Sequence, residues 1–272
     1  MIRIEGGEVT IGATDEQIDD AENNEMPAHS VTLSTFYIGQ FPVTQNIWEL
    51  VMGYNKSNNK EKRKPIGNSL IPKVSSAAMG TAIKSVLGTP ISGIPGLAGA
   101  WWTAIKDGSS QKKDDAEGHY PVENISYDEA VDFVRRLSNM TKIKFALPTE
   151  EEWEYAARGG QKCQGYKYSG SNDIDEVAWY KDNAGGTTHP VGEKKPNELG
   201  IYDMSGNVWE WTETNAHSYV SDAESDDTIF IRRGGSWWHE AKNCRVSRRY
   251  ASEHTKKTSG LGLRVVIREN VK

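Results

Sequence analysis

The sequence predicts a loop-rich α+β domain with little regular secondary structure, carrying a helical insertion. Three observations lead there. The N-terminal segment alternates apolar and polar residues at the period of half-buried strands. Further on, two stretches open with capping boxes and continue with apolar residues on one helical face. Beyond residue 160, glycine, asparagine and tryptophan punctuate short apolar pieces. Nine Trp and 26 Gly in 272 residues suit a chain whose large rings fix an irregular backbone.

Taken in order, EVTIG and then SVTLSTFYIGQFPVT read as strands, with Pro42 closing the second run. Thr44 is placed to cap a short helix, QNIWELVMG, in which Ile47, Trp48 and Val51 share a face and Gly53 stops the turn. Ser126 and Glu129 form a capping box before Ala130, Phe133, Val134 and Leu137, a face expected in the core. Thr149 and Glu152 repeat that spacing in LPTEEEWEYAARGG, whose acidic first turn complements the helix N-terminus and whose Gly159 and Gly160 end it. GIYDMSGNVWEWT and GLGLRVVIRE read as short strands joined by ordered loops.

Residues 57–118 differ in kind. This stretch opens with KEKRK, passes through IPKVSSAAMGTAIKSVLG and ISGIPGLAGAWWTAIKDG, and closes with SSQKKDDAEG, the outline of an insertion into a domain that resumes at PVENISYDEA. Met79, Ala82, Ile83, Val86 and Leu87 fit one apolar helical face. One reading is a helical cap folded onto the domain. The other is a docking element led by Trp101 and Trp102. Lys73, Lys84 and Lys106 exclude a membrane-spanning helix there.

The formal charge of −6 and pI of about 5.6 provide no basic field for nucleic acid or anionic lipid. Two cysteines, Cys163 and Cys244, are too few for a disulfide framework, and the sequence leaves open whether they meet. MIRIEGGEVTIGA lacks a basic start and apolar core of a secretory signal, so the expected setting is cytoplasm or a phage particle. No G-x-S-x-G, H-E-x-x-H or phosphate loop is present, and the six histidines are scattered, with His189 in THPVG assigned to a scaffold turn.

The motifs GGEVTIG, FPVTQNIWELVMG, PVENISYDEAVDFVRRLS, LPTEEEWEYAARGG, THPVGEKKPNELGIYDMSGNVWEWT, RRGGSWW and GLGLRVV follow an order and spacing that resemble the sulfatase-modifying-factor family. The resemblance covers nearly the whole chain outside the insertion. It implies one formylglycine-generating-enzyme domain over residues 1–272, an α+β variety of the C-type-lectin-like fold. It also implies, for members that oxidise a substrate cysteine, two copper(I)-binding cysteines five residues apart after the GGS turn. Thiolates are the ligands soft copper(I) prefers. On this sequence the second cysteine falls on Cys244 and the first on His239, which points away from an oxidase. The resemblance further implies a calcium site in GNVWEW, with oxygens from Asn207, the Val208 carbonyl and Glu210. The alternative is that Asn207 and Glu210 bond loop backbone instead.

Between GGS, CRVS and GLGLRVV lie Trp238, His239, Glu240, Lys242, Asn243, Arg248, Arg249, Tyr250, Ser252, His254 and Thr255, expected as an exposed binding surface, whereas Trp237 is expected in the core. This layout resembles the variable proteins of diversity-generating retroelements, in which a C-terminal GGSW…CRVS…GLR region alternates scaffold with substituted surface positions. One departure is that AAC-type codons do not reach Trp238, Glu240, Lys242, Lys256 or Lys257 by adenine changes alone. Three functional readings follow. The first is a non-enzymatic protein binding an unknown protein or cell-surface ligand through this surface. The second is a copper-dependent formylglycine-generating oxidase or related metal-dependent oxidoreductase. The third is a structural or virion component acting through the insertion.

Overall fold

In a computed structural model of the chain, residues 1–59, 119–216 and 227–269 are described, and the features predicted for residues 60–118 lie outside them. The strands are short, as the alternating stretches require: β1 (Ile2–Ile4), β2 (Gly7–Ile11), β3 (His29–Leu33), β4 (Phe36–Ile38), β5 (Phe145–Ala146), β6 (Trp209–Asn215), β7 (Ile229–Arg233), β8 (Arg249–Glu253), β9 (Leu261–Leu263) and β10 (Val266–Arg268). They form a sheet β1-β4-β10-β5, a separate β2-β3 pair and a sheet β8-β7-β6-β9. Neighbours are antiparallel except β6 and β9, which run parallel with Trp209 beside Leu261.

The run from Ser30 to Thr44 is not one strand. It divides after Leu33: β3 pairs with β2, while β4 pairs with β1 and β10. The apolar phase slips by one residue across the break, from Val31 and Leu33 to Phe36 and Ile38, and that slip is the mark the division leaves in the sequence.

Helix α1 (Gln45–Met52) begins at Thr44 and ends at Gly53, whose φ of 80° is the left-handed stop that glycine adopts freely. Thr44 holds the N-cap position with no side-chain cap bond. Helix α2 (Tyr127–Thr141) has the complete capping box, Ser126 accepting from the Glu129 amide and Glu129 from the Ser126 amide. Ala130, Phe133, Val134 and Leu137 are buried as their spacing predicts. Phe133 stacks on Trp48 of α1 with ring centroids 5.2 Å apart, which joins the two helices in one core with Trp209 and Trp211.

Helix α3 (Glu150–Ala157) is capped by Thr149 and Glu152. Its acidic turn does more than complement the helix end. Glu150, Glu152 and Glu154 are all buried; Glu150 and Glu154 face Arg233 of β7, and Glu152 faces Arg268 of β10. A one-turn helix, α4 (Ile174–Val177), precedes the loop leading to β6.

Gln45 ties together the two stretches of chain that flank residues 60–118. Its amide donates to the Tyr120 carbonyl at 2.9 Å, and its side chain reaches the carbonyls of Asn59 and Pro121. Ser57 and Asn59 also bond to Glu123. The chain therefore leaves and rejoins the domain at one place. No helix among the described residues is long and apolar enough to cross a membrane.

Candidate functional site

Strand β7 delivers the chain to the GGS turn. Gly234 and Gly235 have φ of 100° and 76°, and a Cβ on Gly235 would lie 2.6 Å from the Cys244 sulfur. Cys244 is fully enclosed near Tyr168, Val177 and Tyr180, and burial pushes its thiol up to about 12 although backbone amides of Ser236 and Gly206 face it. Cys163 is exposed, and both cysteines are free. His239 Nδ1 faces the Ser236 hydroxyl at 2.7 Å and the Trp209 indole N–H at 3.2 Å. An indole nitrogen only donates, so Nδ1 accepts and the ring proton sits on Nε2. Burial, with the charges of Arg232 and Arg248, lowers the imidazole to about 4.

This donor set does not fit the copper site that the sequence resemblance implies. One thiol is held protonated, and the position of the other carries an imidazole whose Nδ1 is already engaged. No group of three or more His, Cys, Asp or Glu able to hold a metal exists among the described residues.

The GNVWEW residues are likewise committed. Asn207, at φ 59°, accepts from the His189 amide and donates to the His189 carbonyl, both at 3.1 Å. Fully buried Glu210 bonds Arg264 through both oxygens, at 2.8 to 3.2 Å, and accepts from the Trp153 indole at 2.6 Å. The positive charge at Glu210 is thus a guanidinium, and a calcium ion there would have to displace it. Val208 is enclosed in the core.

The expected binding surface separates into two groups. Trp238 and Tyr250 are 46% and 45% exposed, Glu240, Lys242 and Thr255 are exposed, and His239, Asn243 and His254 are half-buried. Arg248, Arg249 and Ser252 are buried, contrary to expectation. Arg249 grips Glu150 with two bonds of 2.7 Å, and Arg248 pairs with Glu22 and lies 3.7 Å from Glu25. Arg248 precedes β8 and Arg249 opens it, and nothing local in the doublet discloses which carboxylates await it. Trp237, expected in the core, is only half-buried, its indole donating to the Ser259 carbonyl. His254 turns to Asp128 at the start of α2, 2.8 Å away.

One residue that the sequence did not single out proves central. In β7, Arg232 and Arg233 face opposite sides: Arg233 meets Glu154 and Glu150, while Arg232 lies over the rings of Trp209 and Tyr250, at 5.2 and 4.5 Å. Tyr250 is its direct cross-strand neighbour. Trp238 stands 4.5 Å from His239, and Trp209 contacts both His239 and Tyr250, so these side chains form one cluster. The RR doublet preceding GGS was the available signal.

Comparison with known proteins places this geometry. Residues 1–269 match the sulfatase-modifying factor enzyme 1-like domain. A Paenibacillus barcinonensis protein named Chaperone protein LppX is 36% identical over 239 residues, covering 80% of this chain and 75% of its own. A formylglycine-generating enzyme of Mycobacterium tuberculosis is 29% identical over 240 residues, with the same coverages. Among solved structures, Treponema denticola variable protein 1 superposes with a TM-score of 0.70 at 26% identity, covering 99% of this chain and 95% of that one.

Two outcomes follow. Millimolar calcium is expected to leave the melting temperature unchanged, whereas Glu210→Ala, which strands Arg264, is expected to cost about 3–5 kcal/mol in urea unfolding. For His239, NMR titration is expected to show a neutral ring until pH approaches 4. Its folded pKa lies below the ordinary 6.5, so its contribution to stability is complete above pH 6.5 and is lost as pH falls from there toward 4.

Proposed function

Starting from a chain that belongs to the sulfatase-modifying factor enzyme 1-like family and has its C-type-lectin-like fold, we propose that it is a non-enzymatic ligand-binding protein of the variable-protein type. The observation that carries this reading is the pairing of two features after the GGS turn. The position of the first copper-binding cysteine holds a neutral, doubly engaged His239, and beside it Trp238 and Tyr250 stand exposed on a rigid floor. Large rings held in place contribute contact area with little loss of side-chain freedom. Glu240, Lys242 and Asn243 add polar groups around them.

The likeness to the Treponema variable protein over nearly the whole chain supports the same reading. The naming of the Paenibacillus relative as a chaperone agrees with a polypeptide ligand, since a chaperone acts by binding one. The ligand is accordingly a protein or cell-surface molecule. Likeness to formylglycine-generating enzymes keeps the oxidase as the competing reading, and the raised thiol of Cys244 favours the binding reading over it.

Copper(I) titration of the reduced protein is expected to give no stoichiometric binding. Tight copper that disappears in Cys244→Ala would restore the oxidase. On an array of cell-surface proteins and glycans, wild type is expected to retain a ligand that Trp238→Ala or Tyr250→Ala weakens about 30-fold, the loss that truncating a hot-spot aromatic brings.

A further inference from the structure

Among the described residues, buried guanidinium groups follow one rule with one exception. Arg158 and Arg233 meet Glu154, Arg245 and Arg248 meet Glu25, Arg249 meets Glu150 and Arg264 meets Glu210. Arg232 is 6% exposed and has no carboxylate among the described residues. Among the described residues its enclosed Nε and Nη1 have no hydrogen-bond partner, and the faces of Trp209 and Tyr250 accompany its charge. Ring faces offset part of a cation's desolvation but accept no fork of N–H bonds. A charge left this way inside a protein is costly, and the usual remedy is a partner. The neighbouring groups supply none, because His239 is neutral with its acceptor nitrogen engaged by Ser236 and Trp209. Arg248, 5.9 Å from the same Tyr250 ring, brings no carboxylate to Arg232, its own partners being Glu22 and Glu25.

We propose that Arg232 is the floor of an oxyanion subsite within the ligand-binding surface: a carboxylate, sulfate or phosphate carried by the ligand turns aside the half-exposed Tyr250 ring that covers the guanidinium and takes the hydrogen bonds Arg232 leaves unmade. This rests on the binding reading of that surface and makes it more specific. The exposed rings hold the body of the ligand, and the guanidinium selects for its acidic group. Arginine suits this task because its planar fork matches two oxygens of an oxyanion.

The test titrates sodium acetate, sulfate and phosphate, each at constant ionic strength against chloride, into the full chain and into Arg232→Met, reading tryptophan fluorescence and melting temperature. Trp209 and Trp238 are the reporters. The expected result is a saturable change with at least one oxyanion in wild type, weakened more than tenfold in Arg232→Met, and the preferred anion identifies the acidic group. Without oxyanion, Arg232→Met is expected to melt at or above the wild-type temperature, since it removes an unpaired buried charge and keeps the packing volume. Equal responses in both proteins, showing an adventitious ion only, would overturn the subsite, as would a wild type that does not respond. If Arg232→Met does not fold, Arg232→Lys decides: it keeps the charge without the fork, so binding weakened tenfold supports the proposal and unchanged binding sinks it. An array ligand that Arg232→Met retains at full strength removes the subsite and leaves the surface reading standing. Loss of that ligand in Trp238→Ala tests the surface itself.

Discussion

Carboxylates that helix α3 turns inward, and the guanidinium groups of β7 and β8 that receive them, hold the domain together where regular secondary structure is scarce. Glu154 collects the Gly12 amide, Arg158 and Arg233; Glu150 takes Arg249; Arg233 reaches on to the carbonyls of Val246 and Ser247. These bonds fasten the N-terminal hairpin, α3 and the C-terminal loops to one another. A buried ion pair adds little net stability over a well-packed apolar one, but loss of one partner leaves a charge that cannot be hydrated. The arrangement therefore acts as a specification: a wrong packing of these loops would strand a charge. With one face of the β7-β8 pair given to these ion pairs, the other is left to Trp209, Arg232 and Tyr250.

Much of this was legible. Both capping boxes and the apolar faces of α1 and α2 stand where their spacing put them, because local bonds and helical periodicity decide them. The motif order was enough to identify the fold. What escaped was decided by long-range partners. Glu150, Glu152 and Glu154 read as charges suited to a helix end, and nothing local showed that Arg249, Arg268 and Arg233 would bury them. Arg248 and Arg249 read as exposed for the same reason. Trp238 and Tyr250, expected outside the core, are exposed.

The GGS turn gives Cys244 and His239 parts in the scaffold. Gly235 admits the Cys244 sulfur at a distance no Cβ would tolerate, so the thiol fills space under the turn whether or not it binds a metal. His239, at the other position, is absorbed into a hydrogen-bonded cluster with Ser236 and Trp209. Both side chains thereby have structural work that requires no reaction.

The clasp at Gln45 has an effect on the sequence that departs and returns there. The entropy of closing a loop rises only with the logarithm of its length, so doubling it costs about 0.6 kcal/mol once the ends are fixed. Here the ends are fixed by side-chain bonds from Gln45 and Glu123 that belong to the domain itself. The domain is thus nearly indifferent to how many residues pass between Asn59 and His119. That junction is a socket that tolerates segments of different length, and it adjoins the C-terminal loops, since Asn59 and Trp237 both donate to the Ser259 carbonyl.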